Sequence, residues 1–154
     1  MNSSTLISHG VLETKDIGKK ISNFITKKNN SYPFLIFLIG ELGAGKTTLC
    51  RGILRGLGHK GVVKSPTYNL VETYEISDFL IFHFDFYQIS HPKELSNIGI
   101  QEYLNTNNGV SIIEWPEKMI SFLPDPDLEI ILNHSENNKE ERTLEIKSKD
   151  SIDL

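Results

Sequence analysis

The stretch that most constrains this chain is GELGAGKTT, Gly40 to Thr48, reached directly from the unbroken apolar run FLIFLI, Phe34 to Ile39. Six apolar residues without polar alternation need cover on both faces, which marks a central strand of the parallel type. The run ends in Gly-x-x-x-x-Gly-Lys-Thr, and KTTLCRGILRGLG then returns to helical periodicity and stops at Gly58. Strand, glycine turn and helix in that order make a phosphate cradle. Glycines let backbone N–H groups curl inward, where side chains would block an anion. The helix start adds its partial positive charge. In this pattern Lys46 reaches the β- and γ-phosphates as a point charge, and the Thr47 hydroxyl ligates Mg²⁺. Leu42, Gly43, Ala44, Gly45 and Thr48 complete the nucleotide loop. The plain alternative is a glycine turn that binds nothing. The preceding strand and following helix favour the cradle.

The remaining pattern supplies a sheet around it. TKDIGKKISNFITKK puts Ile17, Ile21, Phe24 and Ile25 on one helical face, with Thr14 as the expected N-cap. TYNLVETYEI and FLIFHFDF, separated by Ser77-Asp78, are β-branched and aromatic-rich and predict an antiparallel pair. HPKELSNIGIQEYL predicts one or two short helices, with Pro92 in the first turn. VSIIE is a further buried strand, and DLEIILN and RTLEIK form a last β pair joined through the polar turn NHSENNKEER. The expected class is α/β: a single P-loop NTPase domain over residues 1–154, with a mixed β-sheet, helices on both faces and an antiparallel hairpin portion.

Composition narrows the function. Of 154 residues, 38% are hydrophobic and 23% charged, which is ordinary for a globular chain. The net charge is −4 and only three arginines occur, Arg51, Arg55 and Arg142, so high-affinity nucleic-acid binding by this chain alone is disfavoured. The single cysteine, Cys50, cannot form an internal disulfide, and its helical spacing with Leu49, Ile53, Leu54 and Leu57 reads as core packing. No signal-like start occurs, and no apolar run approaches the ~20 residues of a membrane span, so a cytoplasmic, membrane-free protein is expected.

A P-loop nucleotide also needs a strand-end carboxylate for Mg²⁺ or its waters. Glu114 closes VSII, and Asp85 ends FLIFHF, sharing a strand face with His83. Two such carboxylates suggest a division of labour, one on the metal and one on the attacking water. A GTPase would carry Asn-Lys-x-Asp for the base, and the nearest match, NKEE, lies in a polar turn. ATP is favoured. A small-molecule kinase would want several arginines at the transferring phosphoryl group.

Taken in order, GELGAGKTT, KSPTYNLVETY, HFDFYQ, IIEWPE and LPDPD closely resemble the TsaE family, from roughly Thr14 to Arg142. These are small bacterial ATPases needed for threonylcarbamoyladenosine on the tRNA base beside the anticodon. The resemblance implies that Thr47 and Glu114 bind Mg²⁺ and that Asp85 is required for ATP hydrolysis. It implies a switch element near the γ-phosphate at Ser65 to Thr67, and Thr14 and Arg142 at the adenine end. It also implies work with the transferase subunit TsaD and its companion TsaB, with tRNA met only through that complex. One departure stands out. The family reads His-x-Asp-x-Tyr-Arg, and this chain has Gln88 in place of the arginine, which removes a permanent positive charge.

Some residues keep a plainer reading beside the functional one. Trp115 either stacks over the site or anchors a half-buried patch. His83 reads as a satisfied strand histidine rather than a metal ligand, and His9, His59, His91 and His134 have no ligand spacing for zinc. Thr14 and Arg142 also read as a helix cap and a surface strand arginine. Two competing functions remain beside the ATPase: a nucleotide-dependent docking subunit whose hydrolysis is incidental, and a stand-alone small-molecule kinase.

Overall fold

The structure, a computed structural model, describes residues 1–27 and 32–154. Along the chain run β1 (Asn2–Ser8), α1 (Val11–Lys27), β2 (Phe34–Ile39), α2 (Lys46–Leu57), β3 (Val71–Ile76) and β4 (Phe79–Asp85). Then follow α3 (Lys93–Ile98), α4 (Ile100–Leu104), β5 (Gly109–Glu114), a 3₁₀ segment (Pro116–Phe122), β6 (Leu128–His134) and β7 (Arg142–Ser148). Among the described residues the strands make one seven-stranded sheet in the order β1-β7-β6-β2-β5-β4-β3. β2 pairs in parallel with β5 and β6, and β4 in parallel with β5; the outer pairings are antiparallel. The mixed α/β class is therefore as expected. Among the described residues, no helix is long and apolar enough to cross a membrane.

FLIFLI shows why a strand can lack alternation. Phe34, Ile36 and Leu38 enter one core cluster with α1 and α2, whereas Leu35 and Phe37 enter a second with Leu95, Ile100 and Leu104 of α3 and α4. Both faces of β2 are packed, so no position calls for a polar side chain.

Helices α1 and α2 cross in close contact because small residues face each other. A Cβ built on Gly18 would lie 2.7 Å from both Ile53 N and Leu49 O. One on Gly52 would strike the Lys15 carbonyl oxygen and sit 2.9 Å from Lys15 Cα. These are backbone atoms and cannot swing aside. Gly52→Ala is therefore expected to push the helices apart at a cost of about 1–3 kcal/mol. A thermal melt should show a midpoint lowered by about 3–10 °C, and an unchanged midpoint would mean the crossing adjusts freely.

Two local expectations change, and one falls outside the described residues. Thr14 is not the N-cap of α1, which starts three residues earlier; Thr14 is buried in its first turn. Its hydroxyl is 2.6 Å from Ser8 Oγ and 3.1 Å from the Gly10 carbonyl, to which it donates. A threonine hydroxyl can bond backward to the carbonyl four residues before it as readily as cap, and here the backward bond is made. Lys28, the last residue of the predicted helix, lies outside the described residues. The predicted strand from Thr67 begins at Val71 instead: residues 67–70 form a turn, with Leu70 at φ 65° and its carbonyl accepting the Asp85 amide.

Candidate functional site

Parallel pairing brings three strand ends to one edge of the sheet. Leu38 and Asp85 are both register partners of Glu114, and Gly40 follows β2 directly. The loop from Gly40 then turns into α2 through Gly43 at φ 76° and Gly45 at φ 106°. Both lie in the left-handed region that a Cβ disfavours, so these two positions need glycine. α2 begins at Lys46, and the first amides of a helix have no intrahelical acceptor. They are available to an anion at the loop.

Lys46 is buried, and its ammonium is held at the loop. Nζ donates to the Gly40 carbonyl and, at 2.9 Å, to that of Glu41, and it lies 4.2 Å from the centre of the Trp115 ring. Burial lowers its pKa, and the negative charges of Glu114, Glu117 and Asp85 oppose that shift. Trp115 has φ 58° and packs against Tyr87, with ring centres 4.9 Å apart. It is thus both a partly buried anchor and a wall of the site, and the two sequence readings do not exclude each other.

Glu114 is 2% exposed. Its carboxylate accepts from the Thr47 hydroxyl, at 3.3 and 3.4 Å to its two oxygens, and from His83 Nε2 at 2.5 Å. His83 is fully buried; its Nε2 bonds to Glu114, but its Nδ1 has no hydrogen-bond partner among the described residues, so the ring is only half satisfied and departs from the satisfied strand histidine that was expected. Burial presses its imidazole toward the neutral form, while neighbouring Cys50 and Glu114 act the other way and prevail, raising its pKa. Cys50 is buried core, as its spacing suggested. Asp85 accepts the Tyr87 amide at 2.9 Å. Burial raises the Asp85 pKa, the Tyr87 amide counters this, and the Glu114 charge adds to the rise.

Two cavities flank the loop. The first, about 430 Å³, is lined by Leu42 through Thr48, Ser65, Thr67, Asp85, Tyr87, Gln88, Glu114 and Trp115. It gathers most of the predicted site residues in one place. The Ser65 and Thr67 hydroxyls are 2.7 Å apart there. The second, about 600 Å³, shares Gly43, Gly45 and Thr48 with the first and brings together Thr14 and Arg142. Arg142 Nη2 donates to the Gly43 carbonyl at 3.2 Å, and Nη1 to the carbonyls of Lys139 and Glu141. The structure thus splits the predicted residues between two spaces that share Gly43, Gly45 and Thr48 as walls, with Thr14 and Arg142 apart from Asp85 and Glu114.

The Thr47 hydroxyl and Glu114 carboxylate are adjacent hard oxygen donors. That set fits Mg²⁺, which commonly takes one or two protein oxygens and fills its octahedron with phosphate oxygens and waters. Among the described residues, no group of three or more His, Cys, Asp or Glu is placed to hold a metal by itself. What sequence reasoning missed is the link from His83 to Glu114, along with Tyr87 as a lining residue. The signal was the equal distance of His83 from Asp85 and of Ile112 from Glu114, legible only with the β4–β5 register in hand.

A glycine loop and helix at the carboxyl edge of central parallel strands, with a lysine and strand-end carboxylates around them, define the P-loop class. The profile of "Threonylcarbamoyl adenosine biosynthesis protein TsaE" matches residues 8–144. The tRNA threonylcarbamoyladenosine biosynthesis protein TsaE of Haemophilus influenzae is 45% identical over 117 residues, covering 76% of this chain and 73% of that protein. Its counterpart from Bacillus subtilis is 31% identical over 132 residues, covering 86% and 78%. The crystal structure of Bacillus subtilis YdiB superposes with a TM-score of 0.76 at 25% identity, covering 96% of this chain and 86% of that one. The chain belongs to the TsaE family, whose members function in tRNA threonylcarbamoyladenosine biosynthesis.

Proposed function

We propose that the protein binds Mg·ATP and hydrolyses it slowly as a cytoplasmic subunit of the tRNA threonylcarbamoyladenosine machinery, acting with TsaD and TsaB and meeting tRNA through them. The observation that carries this reading is the convergence of Lys46, Thr47, Asp85 and Glu114 on one cavity at the glycine loop. In it the loop amides and Lys46 hold the β- and γ-phosphates. Thr47 and Glu114 hold the metal, which neutralises charge on the phosphate oxygens. Asp85, raised in pKa and set beside the metal site, orients or deprotonates the attacking water. The second cavity, with Thr14 and Arg142, takes the nucleoside end.

Titration with Mg·ATP tests this, read by calorimetry and by Trp115 emission. Lys46 Nζ must leave the indole face to reach phosphate, so filling the site should shift the emission. Calorimetric binding without a spectral change would place the nucleotide elsewhere. Two substitutions then separate the carboxylates. Glu114→Gln should weaken ATP binding with Mg²⁺ more than without it, whereas Asp85→Asn should bind normally and lose hydrolysis. The reverse pattern would exchange their roles.

A further inference from the structure

We propose that His83 is a positioning residue: its imidazole fixes the Glu114 carboxylate in the orientation that receives Mg²⁺ beside Thr47. The inference rests on the metal role given to Glu114 above and goes beyond it, because His83 is not among the residues that line the cavity.

The geometry is specific. A carboxylate at a strand end has a rotatable plane, and its two oxygens can serve several partners. Here Glu114 is held from two sides. Thr47 Oγ1 lies 3.3 and 3.4 Å from its oxygens, and His83 Nε2–H donates to Oε2 at 2.5 Å. An ionised carboxylate only accepts, so the ring nitrogen is the donor. The histidine is 0% exposed and Glu114 2%, so water offers neither group a ready substitute. His83 sits two residues before Asp85 on β4, and Asp85 pairs in register with Glu114 at the end of β5. Alternation therefore sends His83 and Asp85 to one face of the sheet, with His83 one step deeper. The parallel register makes the histidine the floor beneath the carboxylate and leaves its outer side for Thr47 and the ion.

Partners of this kind commonly decide metal affinity without touching the metal; removing one typically costs about 10–100-fold. The chemistry also explains why a buried polar ring is retained inside an apolar strand, FLIFHFD. An apolar residue at position 83 would leave that buried carboxylate oxygen with only the longer Thr47 contact at 3.4 Å.

The test uses the purified full chain and calorimetry with ATP, in the presence of Mg²⁺ and in its absence. For the unmodified protein, Mg²⁺ should tighten ATP binding; no enhancement there would sink the metal site itself, and with it the ground for this inference. His83→Phe keeps the ring volume and removes the donor. It should cut the Mg²⁺ enhancement by about 10–100-fold while leaving the Mg²⁺-free ATP affinity unchanged. His83→Gln can return an N–H to a similar place and should restore most of the enhancement. Should His83→Phe fail to fold, the smaller donor-free His83→Leu and Glu114→Gln in a double-mutant cycle carry the test, and the two should couple in Mg²⁺ enhancement rather than add. Full enhancement in folded His83→Phe would overturn the proposal. So would an equal loss of affinity with and without Mg²⁺, or strict additivity in the cycle, either of which would make His83 a packing residue only.

Discussion

Lys46→Ala is expected to lower ATP turnover about 10²-fold or more, by analogy with the loss of one preorganised transition-state donor. The residue lies at the start of α2 with its ammonium between the loop carbonyls of Gly40 and Glu41 and the face of Trp115. Those contacts keep the charge within the loop, in a partly desolvated place where one positive charge counts for more than in water. In the proposed nucleotide complex, phosphate oxygens bearing real negative charge would take the place of those carbonyls and the indole. Alanine removes the cation and leaves the loop amides to act alone. The measurement is steady-state ATPase activity of a variant whose melting curve shows it folded. Near-normal turnover in that protein would remove the phosphate role of the loop.

Adding TsaD and TsaB is expected to raise the turnover of this chain by about 10³-fold or more, the usual worth of an arginine brought to the transferring phosphoryl group. The motive is a shortage of mobile positive charge where hydrolysis would occur. None of the three arginines lines the cavity that holds Asp85 and Glu114. Arg55 is exposed on α2, with its guanidinium donating to the His59 and Gly61 carbonyls. Arg51 is exposed on the same helix. Arg142 does reach the glycine loop, but on the side of the second cavity, where it is committed to the carbonyls of Gly43, Lys139 and Glu141. At the place where the family carries its motif arginine, Gln88 lines the first cavity without a charge. A slow subunit also keeps its ATP-bound form long enough to dock. Steady-state assays with and without TsaD–TsaB decide this, and vigorous activity alone, unchanged by the partners, would favour an independent enzyme.

Which parts of this were legible in the residues follows from how local each interaction is. The glycine loop is contained in nine consecutive residues, and the covered strand before it in six, so both could be read directly. The hairpin of β3 and β4 and the β6–β7 pair were legible for the same reason, since a strand and its neighbour lie a short turn apart. Thr14 shows where local reading stops. A threonine near a helix start can cap it or bond backward, and the contact with Ser8, on the preceding strand, belongs to the alternative that the fold adopts. The sequence by itself determined the glycine loop between a covered strand and a helix, and named Lys46, Thr47, Asp85 and Glu114 as candidates around it. Only the tertiary structure decided that they share one cavity, that His83 lies behind Glu114, and that Arg142 reaches Gly43 from 99 residues away. The physical reason is strand order: β4 lies beside β5, and β6, with β7 on its far side, lies beside β2 and the loop that follows it, by pairings between distant segments that no local periodicity encodes.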